Sequence, residues 1–230
     1  MRSVERLLAA ARTDPGLVPL EGFHALKHAL RFGADVLAAV TADPDTLAAL
    51  AAELAPDLDF GAVEHVAPAV LGPRAHHTKV LAVARRPAFE AAAVGPGRVV
   101  VLEDPRQLGN VGAVVRVAAA AGAAGVLTTG DRDPWEPAAL RGSAGLHFAL
   151  PVGRGGPDDF EGRPLVALDP AGEPLRSLPP DALLAFGTER QGLGERLLAR
   201  ADARVAIPMR PGVSSLNLAT AVAVALYAGR

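Results

Sequence analysis

The sequence predicts an α/β protein of two parts, a small α/β domain followed by a larger domain with a mostly parallel sheet. Three observations predict this. Helical and strand-like segments alternate along the whole chain. The segment RRPAFEAAAVGPGR, with its prolines and glycines, is typical of a linker and separates residues 1–86 from 98–230 at 87–97. Beyond it, apolar strands bounded by turn residues alternate with helices, which indicates a sheet covered on both faces.

The elements of the first part follow from the spacing of apolar residues. Positions three and four apart predict helices in SVERLLAAAR, FHALKHALRFG and DPDTLAALAAELA, and Gly33 is typical of a helix end. Short apolar runs predict strands in GLVPLEG, DVLAAVTA, DFGAVEHVA and KVLAVARRP.

The second part has six predicted strands: RVVVLED, AGVLTTG, FALPVG, RPLVALDP, ALLAFGTE and ARVAIPM. Helices are predicted in GNVGAVVRVAAAAG, PAALRGSAG, LGERLLARA and the final apolar segment that follows SSLN. In such sheets ligands bind beyond the carboxyl ends of the strands, so polar residues at those ends are the candidate site.

Composition excludes several function classes. The chain has no cysteine, which removes disulfides, thiolate metal sites and thiol nucleophiles. The histidines form no metal pattern, since the adjacent His76 and His77 would point apart on a strand and fit a surface loop better. No apolar run approaches the roughly 20 residues of a membrane span, and the N-terminus lacks a signal-peptide pattern. We therefore expect a cytoplasmic protein without metal.

Charge gives a mild argument against nucleic-acid binding, because the formal net charge is −2. The basic set is almost wholly arginine, whose forked donor suits phosphates and base edges; Lys27 and Lys79 are the only lysines. A GC-rich genome explains the same bias.

The first polar strand end, EDPRQLGNVGAVVR, places Asn110 and Gly112 at a helix start and Arg116 one turn inside the helix. It has neither the three-glycine spacing of a dinucleotide fingerprint nor the ending of a P-loop. A capped helix with a surface arginine explains the pattern equally well.

Two further segments contain glycines beside polar residues. LRGSAGLHF, with Arg141 and Ser143, is not the nucleophile elbow of hydrolases and fits a turn. AFGTERQGLGE follows a strand with Gly187, Glu189 and Gly192, where a ligand could approach the backbone closely; a simple turn is the alternative.

The last strand end, VAIPMRPGVSSLNLA, leads into the final helix through Ser214, Ser215 and Asn217. These residue types satisfy free backbone N–H groups at helix starts. Capping is a sufficient structural explanation, and a ligand pocket is the functional one.

Together these segments resemble the SpoU branch of the SPOUT methyltransferases, the TrmH-like family of RNA 2′-O-ribose methyltransferases. The three motifs are NVGAVVRVAAAAG (Asn110 to Gly122), FGTERQGL (Phe186 to Leu193) and IPMRPGVSSLNLATAVA (Ile207 to Ala223). The first part, with LEGFHALKHAL, resembles a ribosomal-protein-L30e-like substrate-binding domain. HHTKVLAVARRP departs from the family's Gln-Gly-Val-Leu-Ala pattern, so no RNA contact is assigned to Thr78 or Lys79.

The resemblance implies an S-adenosylmethionine-dependent enzyme with a C-terminal deep trefoil knot, acting as a homodimer on RNA. It implies that functional residues are Asn110, Arg116, Glu189, Ser215 and Asn217. It implies that the cofactor pocket is lined by Leu127, Thr128, Gly130, Gly187, Glu189, Ile207, Met209, Ser215 and Leu216.

The chemistry narrows the reaction. Without cysteine, methylation of a pyrimidine carbon through a thiol adduct is excluded, whereas attack by a ribose oxygen or a ring nitrogen stays open. An arginine is a poor base, so we expect Arg116 to act electrostatically at least as much as by proton removal. The resemblance of the first part to an L30e-like domain implies a structured RNA loop as substrate, in ribosomal more than in transfer RNA. An RNA-binding assembly factor without turnover is an alternative, and a nicotinamide enzyme lacks its glycine fingerprint.

Overall fold

The computed structural model describes residues 3–72, 75–187 and 192–228. The chain divides into two compact units. One comprises the described residues up to Ala88 together with Ala144–Ala149, and the other comprises Phe89–Ser143 and the described residues from Leu150 onward.

In its described residues, the first unit is a four-stranded mixed sheet with four helices. Its helices are α1 (Ser3–Ala10), α2 (Phe23–Arg31), α3 (Pro44–Leu54) and α4 (Pro68–Leu71). Its strands are β1 (Leu17–Glu21), β2 (Val36–Thr41), β3 (Glu64–His65) and β4 (Val80–Arg85). The strand order is β1-β4-β2-β3, antiparallel except for the β2–β3 pair. The predicted small α/β arrangement is confirmed.

Two details of this unit differ from the sequence-based expectation. The strand predicted in DFGAVEHVA contains only two residues, Glu64 and His65. The Asp59 carboxylate accepts a hydrogen bond from the Gly61 N–H, and the resulting turn occupies the first part of the segment. Pro68 then begins α4, which the sequence did not predict.

His76 and His77 lie in the loop before β4, as the surface or loop interpretation predicted. Their rings do not point apart, since the ring centroids are 4.1 Å apart. His76 Nδ1 lies 2.9 Å from the Thr78 hydroxyl, which is buried and accepts a hydrogen bond from the Phe23 N–H. These contacts connect the loop to the start of α2.

The part of the second unit that the structure describes is a six-stranded sheet in which every pair of neighbours is parallel, in the order β10-β8-β9-β5-β6-β7. Its strands are β5 (Val99–Leu102), β6 (Gly125–Thr128), β7 (Val152–Arg154), β8 (Leu165–Pro174), β9 (Leu183–Phe186) and β10 (Ala203–Ala206). Its helices are α5 (Leu108–Ala120), α6 (Pro137–Ser143), α7 (Glu195–Arg200) and α8 (Leu218–Tyr227). The predicted mostly parallel sheet is confirmed.

The two faces of this sheet are covered by different helices. One face carries a core of alternate strand residues, including Val99, Val101 and Leu127, packed with Leu197 of α7. Helix α5 packs against α6 and α8. Strands β5 and β9 are neighbours near the centre of the sheet. From β5 the chain adds β6 and β7 on one side, and the later strands β8 to β10 lie on the other side. Ligands of parallel α/β sheets commonly bind at such a reversal of strand order.

The strand predicted in FALPVG begins later than expected. Residues Leu146–Ala149 form a 3-10 turn, and β7 starts at Val152, directly after Pro151. Proline has no N–H to donate to a ladder, which explains why pairing starts beyond it. The LRGSAG segment is also not a simple turn, because Arg141 and Ser143 belong to α6.

Two glycines bring α5 and α6 into backbone contact. A Cβ at Gly112 would overlap the carbonyl oxygen of Ala139 and lie 2.8 Å from Gly142 Cα. We expect Gly112→Ala to lower the free energy of unfolding by about 2 kcal/mol or more, because backbone cannot yield as a flexible side chain does.

The matched control lies in the same helix. A Cβ at Gly109 would meet nothing within 4 Å, so Gly109→Ala should be neutral or stabilising by about 0.5–1 kcal/mol. Denaturant unfolding of both variants checks the pair, and equal stability of the two would contradict the close helix contact.

Candidate functional site

A cavity of about 640 Å³ opens at the carboxyl ends of β8 and β9. Its walls come from residues 168–170 of β8, Phe186 and Gly187 at the end of β9, and Gly192. Ile207 and Met209 follow β10, and residues 214–218 with Ala221 lead into and through the start of α8. The cavity thus combines apolar side chains with a polar corner.

Backbone crowding shapes the wall at the end of β9. A Cβ at Gly187 would overlap the carbonyl group of Gly192 and the N–H of Leu193. Glycine is therefore required here for space. The carboxylate of Glu103, at the end of β5, accepts a hydrogen bond of 2.6 Å from the Gly194 N–H and fixes the chain where it enters α7.

Asn217 is the N-cap of α8. Its Oδ1 accepts hydrogen bonds from the N–H groups of Ala219 at 2.9 Å and Thr220 at 3.4 Å. Its Nδ2 donates to Oδ1 of Asn110 over 3.4 Å, which connects the start of α8 to the first turn of α5. The predicted cap is confirmed, and the same residue lines the cavity.

The two hydrogen-bonding functions of Asn217 can be separated. Asn217→Ala removes the cap and should cost about 1 kcal/mol of unfolding free energy. Asn217→Ser keeps a capping acceptor for the helix without adding a charge to the cavity, but it lacks the amide that donates to Asn110, so it should keep the melting temperature and still weaken ligand binding. Thermal unfolding beside calorimetric ligand titration checks both variants; an Asn217→Ser protein that binds like the wild type would contradict a role for the Asn110 contact.

Arg116 lies on the exposed side of α5. Within the described residues it makes no hydrogen bond or ion pair, so its guanidinium is available to an incoming group. Asn110 and Arg116 both lie on α5. The side-chain amide of Asn217 donates a hydrogen bond to Asn110 in the first turn of this helix. Glu189 lies outside the described residues.

Five of the residues predicted to bind a cofactor line the cavity: Gly187, Ile207, Met209, Ser215 and Leu216. Leu127, Thr128 and Gly130 do not contribute to its lining. They lie at the end of β6, which is separated from β9 by β5, whereas β8 is the direct neighbour of β9 on the other side. The role of those three residues as cofactor ligands stays a prediction.

Thr128 nevertheless has an unusual environment. It is buried, and its Oγ1 has no hydrogen-bond partner in the described part of the chain. Gly130 follows with a positive φ of 80° beside Asp104, where a Cβ would lie 2.5 Å from Oδ1. These are features of the turn after β6.

The wall that sequence reasoning missed is formed by Leu168, Asp169 and Pro170. The signal was present, because Asp169 and Pro170 follow the apolar run LVAL directly and so mark a polar strand end. Asp169 Oδ1 accepts a hydrogen bond from the Ala171 N–H at 3.0 Å, and Oδ2 accepts one from Arg204 Nε at 3.0 Å. The pKa of the Asp169 carboxyl is lowered, chiefly by the hydrogen bond from the Ala171 N–H. Burial opposes this effect, and the hydrogen bond and positive charge of Arg204 lower the pKa further.

In the described part of the chain, no helix has the length and apolar character needed to cross a bilayer. In the same residues, histidine, aspartate and glutamate side chains nowhere form a group of three suited to a metal ion.

Comparison with known proteins adds the family context. Residues 97–227 match the model of the SpoU rRNA Methylase family. The chain is 39% identical over 146 residues to an uncharacterised tRNA/rRNA methyltransferase of Synechocystis sp., covering 56% of this chain and 52% of that protein. It is 33% identical over 165 residues to the 23S rRNA (adenosine(1067)-2′-O)-methyltransferase of Streptomyces azureus, covering 65% and 61%. The chain thus spans between half and two thirds of the length of these curated relatives.

The similarity to a solved structure extends over both units. The SpoU methyltransferase AviRb from Streptomyces viridochromogenes, in complex with the cofactor AdoMet, matches with a TM-score of 0.79 and 26% identity. The match covers 99% of this chain and 96% of that one.

Proposed function

Because the chain belongs to the SpoU rRNA Methylase family, we propose that it is an S-adenosylmethionine-dependent methyltransferase. Its substrate is a ribose 2′-hydroxyl in structured RNA, ribosomal rather than transfer RNA. One observation carries the proposal: a cavity of cofactor size is bounded by Gly187, Met209 and Asn217, and Asn217 donates a hydrogen bond to Asn110 on α5, the helix that also carries Arg116.

The cavity has the properties that S-adenosylmethionine requires. Its volume of about 640 Å³ lies within the common range for small-molecule sites. Leu168, Ile207, Met209 and Leu218 give apolar surface for a purine, and backbone groups around the crowded Gly187 can meet its polar edge. Ser214, Ser215 and Asn217 supply hydroxyl and amide groups for the ribose and the amino-acid portion.

When bound in this cavity, S-adenosylmethionine would supply an electrophilic methyl group, whose transfer to the ribose oxygen would leave neutral S-adenosylhomocysteine and release the hydroxyl proton to solvent. The protein's part is to align oxygen, carbon and sulfur and to stabilise the charge that develops on the oxygen. Arg116 holds the adjacent phosphate and stabilises this oxygen. Asn110 and Asn217 position the first turn of α5 against the cavity, and Glu189 orients the ribose.

The relatives support the substrate class. The Streptomyces azureus protein is named for 2′-O-methylation of an adenosine in 23S rRNA, and the family model is that of rRNA methylases. In this proposal the first unit is the L30e-like domain that binds the RNA substrate, and the chain from β10 to α8 forms the trefoil knot.

The second part of the proposal is a homodimer. Helix α8 exposes Val224 and Tyr227, with 39% and 49% of their surfaces accessible, three residues apart on one side. Large exposed apolar side chains on one helix face favour association with a second copy. Sedimentation velocity checks this, since Val224→Arg should shift a dimer toward monomer.

The decisive experiment transfers radiolabelled methyl groups from S-adenosylmethionine to separated ribosomal and transfer RNA taken from cells without this protein, followed by alkaline hydrolysis. Label in alkali-resistant dinucleotides of ribosomal RNA is the expected result. Label in alkali-sensitive nucleotides would assign ring-nitrogen methylation instead. Cofactor binding without transfer to any RNA, including precursor and ribosomal-subunit forms, would make the protein an RNA-binding assembly factor and overturn the proposal.

A further inference from the structure

Strand β8 leaves its pairing with β10 in the middle and rejoins it later. Ala167 pairs with Arg204, whereas the next residue of β10, Val205, pairs with Glu173. Residues 168–172 therefore form an arch that faces a single step of β10. The rejoining strand passes so close that a Cβ at Gly172 would lie 2.5 Å from the backbone of Val205. This arch supplies the Leu168–Pro170 wall of the cavity.

The arch contains the only charged residue among the described residues that line the cavity, Asp169. Both of its carboxylate oxygens are engaged, Oδ1 by the Ala171 N–H inside the arch and Oδ2 by Nε and Nη2 of Arg204 on β10. The Asp169 side chain is 15% exposed and that of Arg204 is 44% exposed. The negative charge of Asp169 at the cavity wall is thus balanced by the positive charge of Arg204 on β10.

This balance has a consequence for ligands that differ in charge. S-adenosylmethionine carries a positive sulfonium, and its demethylated product, S-adenosylhomocysteine, carries a neutral thioether of nearly the same shape. A lone carboxylate at a partly buried wall would attract the cation and so favour the methyl donor, whereas a balanced pair attracts it far less.

We propose that Arg204 is a specificity-determining residue that, by balancing Asp169, sets how strongly the cavity distinguishes the methyl donor from the demethylated product. This inference rests on the proposed function. Its consequence is that removing either member of the pair changes the ratio of donor affinity to product affinity.

The test is the ratio of two dissociation constants, measured by titration calorimetry on the full chain with S-adenosylmethionine and S-adenosylhomocysteine. Arg204→Gln should raise the preference for the donor about 5- to 10-fold, since the carboxylate is then unbalanced. Asp169→Asn should shift the preference toward the product about 3-fold or more, since the guanidinium is then unbalanced. The double variant should restore the wild-type ratio.

If the Asp169–Arg204 pair had only a structural role, its loss would weaken the binding of both ligands by the same factor and leave the ratio of the two dissociation constants unchanged. The matched control is Asp158→Asn, which removes an ion-paired carboxylate outside the cavity lining, bound by Arg200 and, at 3.8 Å, by Arg196. It should alter neither dissociation constant.

Unchanged ratios in folded Arg204→Gln and Asp169→Asn would overturn the inference. If Arg204→Gln does not fold, the opposite shift expected for Asp169→Asn decides the matter alone. A wild-type protein that binds neither ligand would instead refute the proposed function, so the two failures are distinguishable.

Discussion

Replacing Arg116 with alanine should lower kcat for methyl transfer at least about 100-fold while leaving the dissociation constant for S-adenosylmethionine within about twofold. The guanidinium is exposed on α5 and, among the described residues, has no protein partner to release on removal. Its loss therefore should not disturb the fold, and the effect is expected in the chemical step. Single-turnover transfer under saturating RNA and cofactor measures it.

Two comparison variants define the role of this arginine. Arg116→Lys keeps the charge but loses the forked donor, so an electrostatic role predicts a kcat between those of the wild type and the alanine variant. Arg196→Ala changes an arginine whose side chain is 96% exposed on α7, the helix whose Leu197 packs in the core with Val99 and Leu127. This variant should leave kcat unchanged. A normal kcat in Arg116→Ala, with RNA bound at wild-type affinity, would rule out the catalytic role.

Gly187→Ala should weaken S-adenosylmethionine binding at least about 100-fold, because the added methyl group must displace backbone that forms the cavity wall. The overlapping atoms are the carbonyl group of Gly192 and the N–H of Leu193, and neither belongs to a side chain that could rotate away. Calorimetry measures the affinity, and far-ultraviolet circular dichroism verifies that the sheet is intact.

Gly192→Ala is the matched control for this prediction. A Cβ there would meet nothing within 4 Å, and only its φ of +66° disfavours a side chain. We expect a stability cost of about 1 kcal/mol from the left-handed backbone and a much smaller loss of affinity than at position 187. Equal losses in the two variants would show that overlap at Gly187 is not what matters.

The sequence was sufficient for elements whose signals are local. The apolar runs around Val99 and Leu183 identified buried parallel strands, and SSLN identified the start of the final helix. Local patterns report burial and capping directly, because the same residues that carry the signal make the contacts.

The sequence was insufficient where neighbours in space are distant along the chain. The position of Leu127 to Gly130 relative to β9 depends on strand order, which packing between helices and sheet fixes and no local pattern encodes; their role as cofactor ligands stays a prediction. The same holds for Asp169, whose partner Arg204 is 35 residues away. The close contact of Gly112 with Ala139 was invisible for the same reason.

Among the described residues, those that line the cavity all fall between 168 and 221, in the later part of the second unit. A chain emerging from the ribosome cannot possess the complete cavity until Ala221 and its helix have been synthesised and have packed against α5. Ligand binding then stabilises only molecules that have reached this stage. Cofactor binding would therefore indicate that the chain has been synthesised beyond Ala221 and that this part has folded. Nascent chains stalled before Ala221 should not be stabilised by the cofactor.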